Sequence, residues 1–221
     1  LETFTTAQRV RKPGPGGSVL GWGDFDISLS RSWSSRRFKR FELAQLRDLR
    51  ASLEDIPELD PATFGTLSLR DRKRAITRVV DATMDAMGVP RSRRPRVDFQ
   101  NLAAGDFGWM EWNFGQTPQG RLVPLLKRGS LVISENLDVG DAVGTAVHEA
   151  RHYYQAYQAY QHSLGRQSHP FASRWQRNLP GSGGHYYGPG DPRYFRQPIE
   201  ADAESFGRRL IDLLPARWSP P

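Results

Sequence analysis

Residues His148-Glu149-Ala150-Arg151-His152 read HExxH. On a helix, positions four apart share a face, so both imidazoles can meet one cation. Glu149, turned by about 100° from His148, can reach a water on that cation without being a ligand. Neutral imidazole suits zinc, and catalytic Zn2+ takes three protein ligands with one position left open. The chemistry this predicts is hydrolysis of a polarised carbonyl, with Glu149 as general base. The bland alternative is two histidines on the outside of an amphipathic helix. The setting weighs against it, because the motif follows Gly144, Thr145 and Ala146 and an apolar strand.

Two histidines do not complete a site. Glu200-Ala201-Asp202-Ala203-Glu204 offers carboxylates on a second helix, where Glu200 and Glu204 share a face. Glu200 is read as the third ligand and Glu204 as the group that orients a ligating imidazole through its free nitrogen. The reverse assignment and Asp202 remain as alternatives. A solvated acidic face is the ordinary meaning of such a run, but Ala201 and Ala203 leave room for close helix packing. An oxyanion would need a second donor. His185, Tyr186 and Tyr187, on a glycine-flanked stretch before the second helix, are the candidates. His162 and His169 read as polar loop residues.

The pair of segments, HExxH and then Glu200-Ala201-Asp202-Ala203-Glu204-Ser205-Phe206, resembles the gluzincin pattern of zinc metallopeptidases. In gluzincins such as thermolysin a carboxylate four residues beyond the third ligand supports a histidine, and Glu204 matches that place. The Glu-x-acidic-Ala-x-x-Phe rhythm also resembles peptidase domains of the ImmA/IrrE type. The strand at Leu131, Gln155 three residues past His152, and the long insertion are similar to metallopeptidase domains of bacterial polymorphic toxins. The resemblance covers residues from about 96 to 214. It departs in distance, since Glu200 follows His152 by 48 positions, more than in compact members.

The resemblance implies a zincin-like α+β fold, with a small antiparallel or mixed sheet beside the HExxH helix and a second Glu-bearing helix. It also implies a toxin effector delivered or secreted as part of a larger bacterial protein, with a protein or peptide substrate and a cognate inhibitor (immunity) protein. A cytoplasmic location is the alternative. Leu131, Val132, Ile133 and Ser134 are expected to bind an extended substrate as an added strand.

The elements that must position these residues can be read from periodicity. Leu43, Leu46, Leu49 and Leu53 have helical spacing over 41–53, and so do Ile76, Val79, Val80, Thr83 and Met87 over 69–87. From Arg96 to Ser134 the pattern turns to strands and predicts an antiparallel meander, with a turn over Gly115–Gly120 and Pro124 marking an edge. The HExxH helix starts at Asp138, a good N-cap, and runs to about Tyr160. The second helix opens at Pro198 and stops before Pro215. Residues 1–40 are expected to be a basic flexible arm or linker. Residues 41–221 form the metallopeptidase domain, with a helical part over 41–90 and the sheet and site over 96–214.

Composition bounds the alternatives. The 221 residues include no cysteine, which excludes disulfides, thiolate nucleophiles and Cys-ligated zinc. No stretch approaches the ~20 apolar residues of a membrane span. The chain starts at Leu1, as a piece of a longer protein would. A net charge of +7 is carried mostly by scattered arginines. It supports a nucleic-acid-acting domain only weakly, because no nucleic-acid motif accompanies it. A catalytically idle zincin-like binding module is a further alternative, and Glu149 argues against it because a purely structural site has no use for a base.

Overall fold

The computed structural model describes residues 36–103, 105–111, 114–116, 122–124, 129–179, 186–187 and 191–214. Six helices lie among them: α1 (Arg36–Glu54), α2 (Pro61–Phe64), α3 (Leu69–Ala86), α4 (Val139–Ser163), α5 (Ala172–Asn178) and α6 (Pro198–Leu213). The strands are β1 (Arg96–Gln100), β2 (Gly108–Met110), β3 (Phe114–Gln116), β4 (Leu122–Pro124) and β5 (Ser130–Ser134). The predicted arm falls outside the described residues up to position 35. The helix expected from Phe41 already runs from Arg36. Thr117–Gly120 of the predicted turn also fall outside.

The sheet is mixed, in the order β1-β5-β2. β5 pairs parallel with β1, setting Val97 against Leu131 and Phe99 against Ile133. On its other side it pairs antiparallel with β2, setting Trp109 against Val132. β3 and β4 form a separate antiparallel pair. The strand region is therefore not one meander. The reason lies in β5, whose five residues are all buried. A continuous apolar run with no polar face is stable only in the middle of a sheet, and a parallel partner supplies the second neighbour.

α4 is the central helix, packed against α3, α5, α6 and the sheet. Asp138 caps it, its carboxylate accepting the Asp141 N–H at 2.9 Å. Every residue from Ala142 to Ala156 is buried, so this helix has no solvated face where the site lies. Close approach to the sheet depends on small residues. A Cβ on Gly108 would collide with the Val132 carbonyl oxygen and with Cγ2 of Thr145.

Leu46, Leu49 and Leu53 of α1 are fully buried and join one continuous core with α3, α4 and α6. Leu43 departs from the expected stripe and is 42% exposed, whereas Glu42 is buried. Ion pairs of Glu42 with Arg151 and Arg209 account for this, because they turn that end of the helix to face α4 and α6. No helix among the described residues is long and apolar enough to cross a membrane.

Candidate metal centre

His148 and His152 project from the same face of α4 toward the first turn of α6. Their Nε2 atoms are 3.0 Å apart, and the rings meet edge to face. Glu200 Oε2 lies 3.2 Å from His152 Nε2 and 3.5 Å from His148 Nε2. One donor atom from each of the three residues falls within a common span of 4.8 Å, and all three residues are buried. Three lone-pair atoms converging away from water repel one another unless a cation, proton or metal, sits among them. The group can hold a metal ion.

The electrostatics agree with that convergence. Burial acts to lower the His152 pKa, but Glu200 outweighs it and the ring is raised to about 9. Burial acts to raise the Glu200 carboxyl, and His152 and His148 outweigh it, holding it well below the usual carboxylate range. Glu149 is buried beside the cluster and acts on His152 through its charge, yet it supplies none of the three converging atoms.

Glu200 is placed by the start of α6. Pro198 occupies its first turn, and Gln197 provides no side-chain cap. The cap comes from another helix: Asn178 Oδ1, at the end of α5, accepts the Ile199 N–H at 3.0 Å. Gln197 is turned the other way. Its amide accepts from the Tyr187 N–H at 3.0 Å and donates to the Tyr187 carbonyl at 2.9 Å, which fastens the Tyr186-Tyr187 segment to the start of α6.

The remaining candidates separate. Glu204 Oε2 lies 3.7 Å from His148 Nδ1 while Oε1 accepts from Arg208 Nε at 2.9 Å. It stands beside the ring without a hydrogen bond to it. Asp202 is turned away from the cluster, gripped by Arg151 through Nε at 2.8 Å and Nη2 at 3.1 Å. It supplies none of the converging donor atoms. Tyr186 is half-buried near the site, its phenol raised above its usual range by burial and then by Glu200. Tyr187 is overlaid by the Arg193 guanidinium at 4.0 Å. His185 falls outside the described residues. Leu131, Val132, Ile133 and Ser134 form the central strand, flanked on both sides. They cannot accept a substrate strand, because β1 and β2 already occupy both of their hydrogen-bonding edges.

One neighbour of the cluster, Tyr194, went unread in the sequence. Tyr194, buried and hydrogen-bonded to Glu200, has its phenol held protonated by burial and by that carboxylate. Its signal, an aromatic six positions before a carboxylate, is too common to stand out. Gln155 bonds the His152 ring, with Oε1 3.0 Å from Nδ1. His169 does lie in the loop between α4 and α5, but it is buried there and stacks on Trp175 at 4.3 Å. No family model, no curated protein and no solved structure matches this chain.

Proposed function

We propose that this chain is a zinc-dependent endopeptidase of the gluzincin arrangement, with His148, His152 and Glu200 holding the metal and Glu149 as general base. The observation that carries this reading is the buried convergence of the two imidazoles and Glu200 next to a carboxylate left out of the ligand set. Two nitrogens and one oxygen are the donor set of a catalytic zinc, which keeps one position for chemistry.

When bound, zinc supplies a Lewis acid that polarises a carbonyl and makes water easier to deprotonate. The protein does the rest. Glu149 accepts the proton of the attacking water and returns it to the leaving amine. Tyr186 is held as a protonated phenol, so it is available as a hydrogen-bond donor to an oxyanion at neutral pH, whereas the Tyr194 proton is already given to Glu200. Glu204, beside His148 Nδ1, limits how far that ring can turn. An effector role in a larger toxin, with an inhibitor partner, rests on the motif resemblance alone.

The test is metal content together with activity. The purified chain should carry about one zinc per molecule. It should cleave an unfolded protein substrate, lose cleavage on chelation and regain it with zinc. A chain that cleaves equally well after complete metal removal would overturn the reading.

A further inference from the structure

Gln155 sits three residues beyond His152, on the far side of the ring from the converging donor atoms. Its amide touches three partners. Nε2 donates to the Ile199 carbonyl at 2.9 Å and to Asp202 Oδ2 at 2.7 Å, while Oε1 faces His152 Nδ1 at 3.0 Å. The first two partners can only accept. A carbonyl oxygen has no proton to give, and the Asp202 carboxylate is held in a bidentate ion pair by Arg151. Both hydrogens of the amide are therefore committed. Flipping the amide would set its oxygen against a carbonyl and a carboxylate, so hydrogen-bond chemistry determines the orientation.

Only the amide oxygen remains for the ring, and an oxygen can only accept. The His152 Nδ1 must then carry the hydrogen, which leaves Nε2 as the lone-pair nitrogen aimed at Glu200 and His148. We propose that Gln155 is the positioning residue of this site, fixing both the tautomer and the tilt of His152. Its own amide is in turn fixed by Asp202 and the start of α6. This role rests on the metal-site reading, and it adds a requirement that HExxH does not contain. Asp202 acts through Gln155, and Arg151 holds Asp202 in place while its Nη2 also donates to Glu42 Oε1 at 3.2 Å. A line of contacts thus runs from α1 through α4 and α6 to one imidazole.

The experiment compares the parent and Gln155→Met by zinc competition with a chelator at fixed pH. Methionine keeps the volume and removes the acceptor oxygen. Gln155→Met should bind zinc 10–100-fold more weakly, the usual loss for a group that orients a ligand. Parent affinity in Gln155→Met would overturn the proposal. Should the variant not fold, long-range proton–nitrogen NMR of the zinc-loaded parent decides the matter. The proposal requires hydrogen on His152 Nδ1, and hydrogen on Nε2 would refute it. A parent chain that takes up no zinc defeats the metal reading alone. The tautomer is then read in the metal-free protein with the ring neutral, with the same two outcomes.

Discussion

Arg151 and Asp202 close a bidentate ion pair between α4 and α6, with Nε to Oδ2 at 2.8 Å and Nη2 to Oδ1 at 3.1 Å. The guanidinium is fully buried, and the rings of Phe206, Tyr154 and Trp175 lie 4.5, 5.1 and 5.7 Å from it. Burial acts against its charge, and Asp202 more than compensates. Removing one partner of such a pair leaves a buried charge uncompensated, at a cost of about 3–5 kcal/mol. Arg151→Met should lose stability on that scale in urea unfolding of the metal-free protein. A loss below about 1 kcal/mol, the range of exposed pairs, would show that the pair is not what holds the helices together.

Ligands and base should respond differently to substitution. His148→Ala and His152→Ala should each abolish zinc retention, since two remaining ligands hold zinc poorly. Glu149→Gln should retain about one zinc per chain and lose at least about 100-fold in cleavage rate, because it deletes only the proton acceptor. Metal analysis and a protein-cleavage assay on the same preparations separate the two effects. Full metal occupancy in His148→Ala would rule out the site as drawn.

Glu200 and Glu204 share a face but not a role. Glu200→Ala removes a converging donor atom and should cost far more zinc affinity than Glu204→Ala. Glu204 reaches only 3.7 Å from His148 Nδ1 and shares its carboxylate with Arg208. Its loss should be at or below the 10–100-fold of a supporting group. Zinc competition at fixed pH measures both, and the assignments exchange if Glu204→Ala is the variant that loses its metal.

His169 predicts a pH dependence of stability. Its ring is neutral, with Nδ1 accepting the Phe171 N–H at 3.1 Å. Burial, and after it the charge of Arg151, lowers its pKa to about 3. An unfolded chain takes up this proton near pH 6.5, whereas the folded one refuses it until about pH 3. The contribution is thus complete above pH 6.5 and drains away as pH falls toward 3, by up to about 1.4 kcal/mol per pH unit. Between pH 4.5 and 5.5, His152 of the metal-free protein is charged in both states and adds almost no slope of its own. Unfolding of parent and His169→Gln across that window should show a flatter dependence in the variant. Parallel lines would contradict a neutral buried His169.

The converging trio of His148, His152 and Glu200 was legible in the sequence because helical spacing converts directly into geometry. His148 and His152 had to share a face, and Pro198 fixed where the helix carrying Glu200 begins. Asp138 likewise announced its own cap. What could not be read was set by tertiary contacts. β5 reads Leu-Val-Ile whether it lies at an edge or in the centre of a sheet, and only its two partners decide. Asp202 and Glu200 are two residues apart and chemically alike, yet Arg151 claims one and the imidazoles claim the other. Glu42 has no local pattern at all, and Gln155 shows only its spacing from His152, because their anchoring partners lie 109 and 47 positions away in Arg151 and Asp202.

The separation of 48 positions between His152 and Glu200 also gives the ion a mechanical meaning. Bound to both, it ties a loop of the chain shut in a protein that has no cysteine to make a covalent tie. Closing a loop of that length removes unfolded-state entropy worth about 4 kcal/mol, on the scale used for disulfides. A metal here would be a cross-link as well as a reagent, and a chelator would act on this protein as a reductant acts on a disulfide-bonded one.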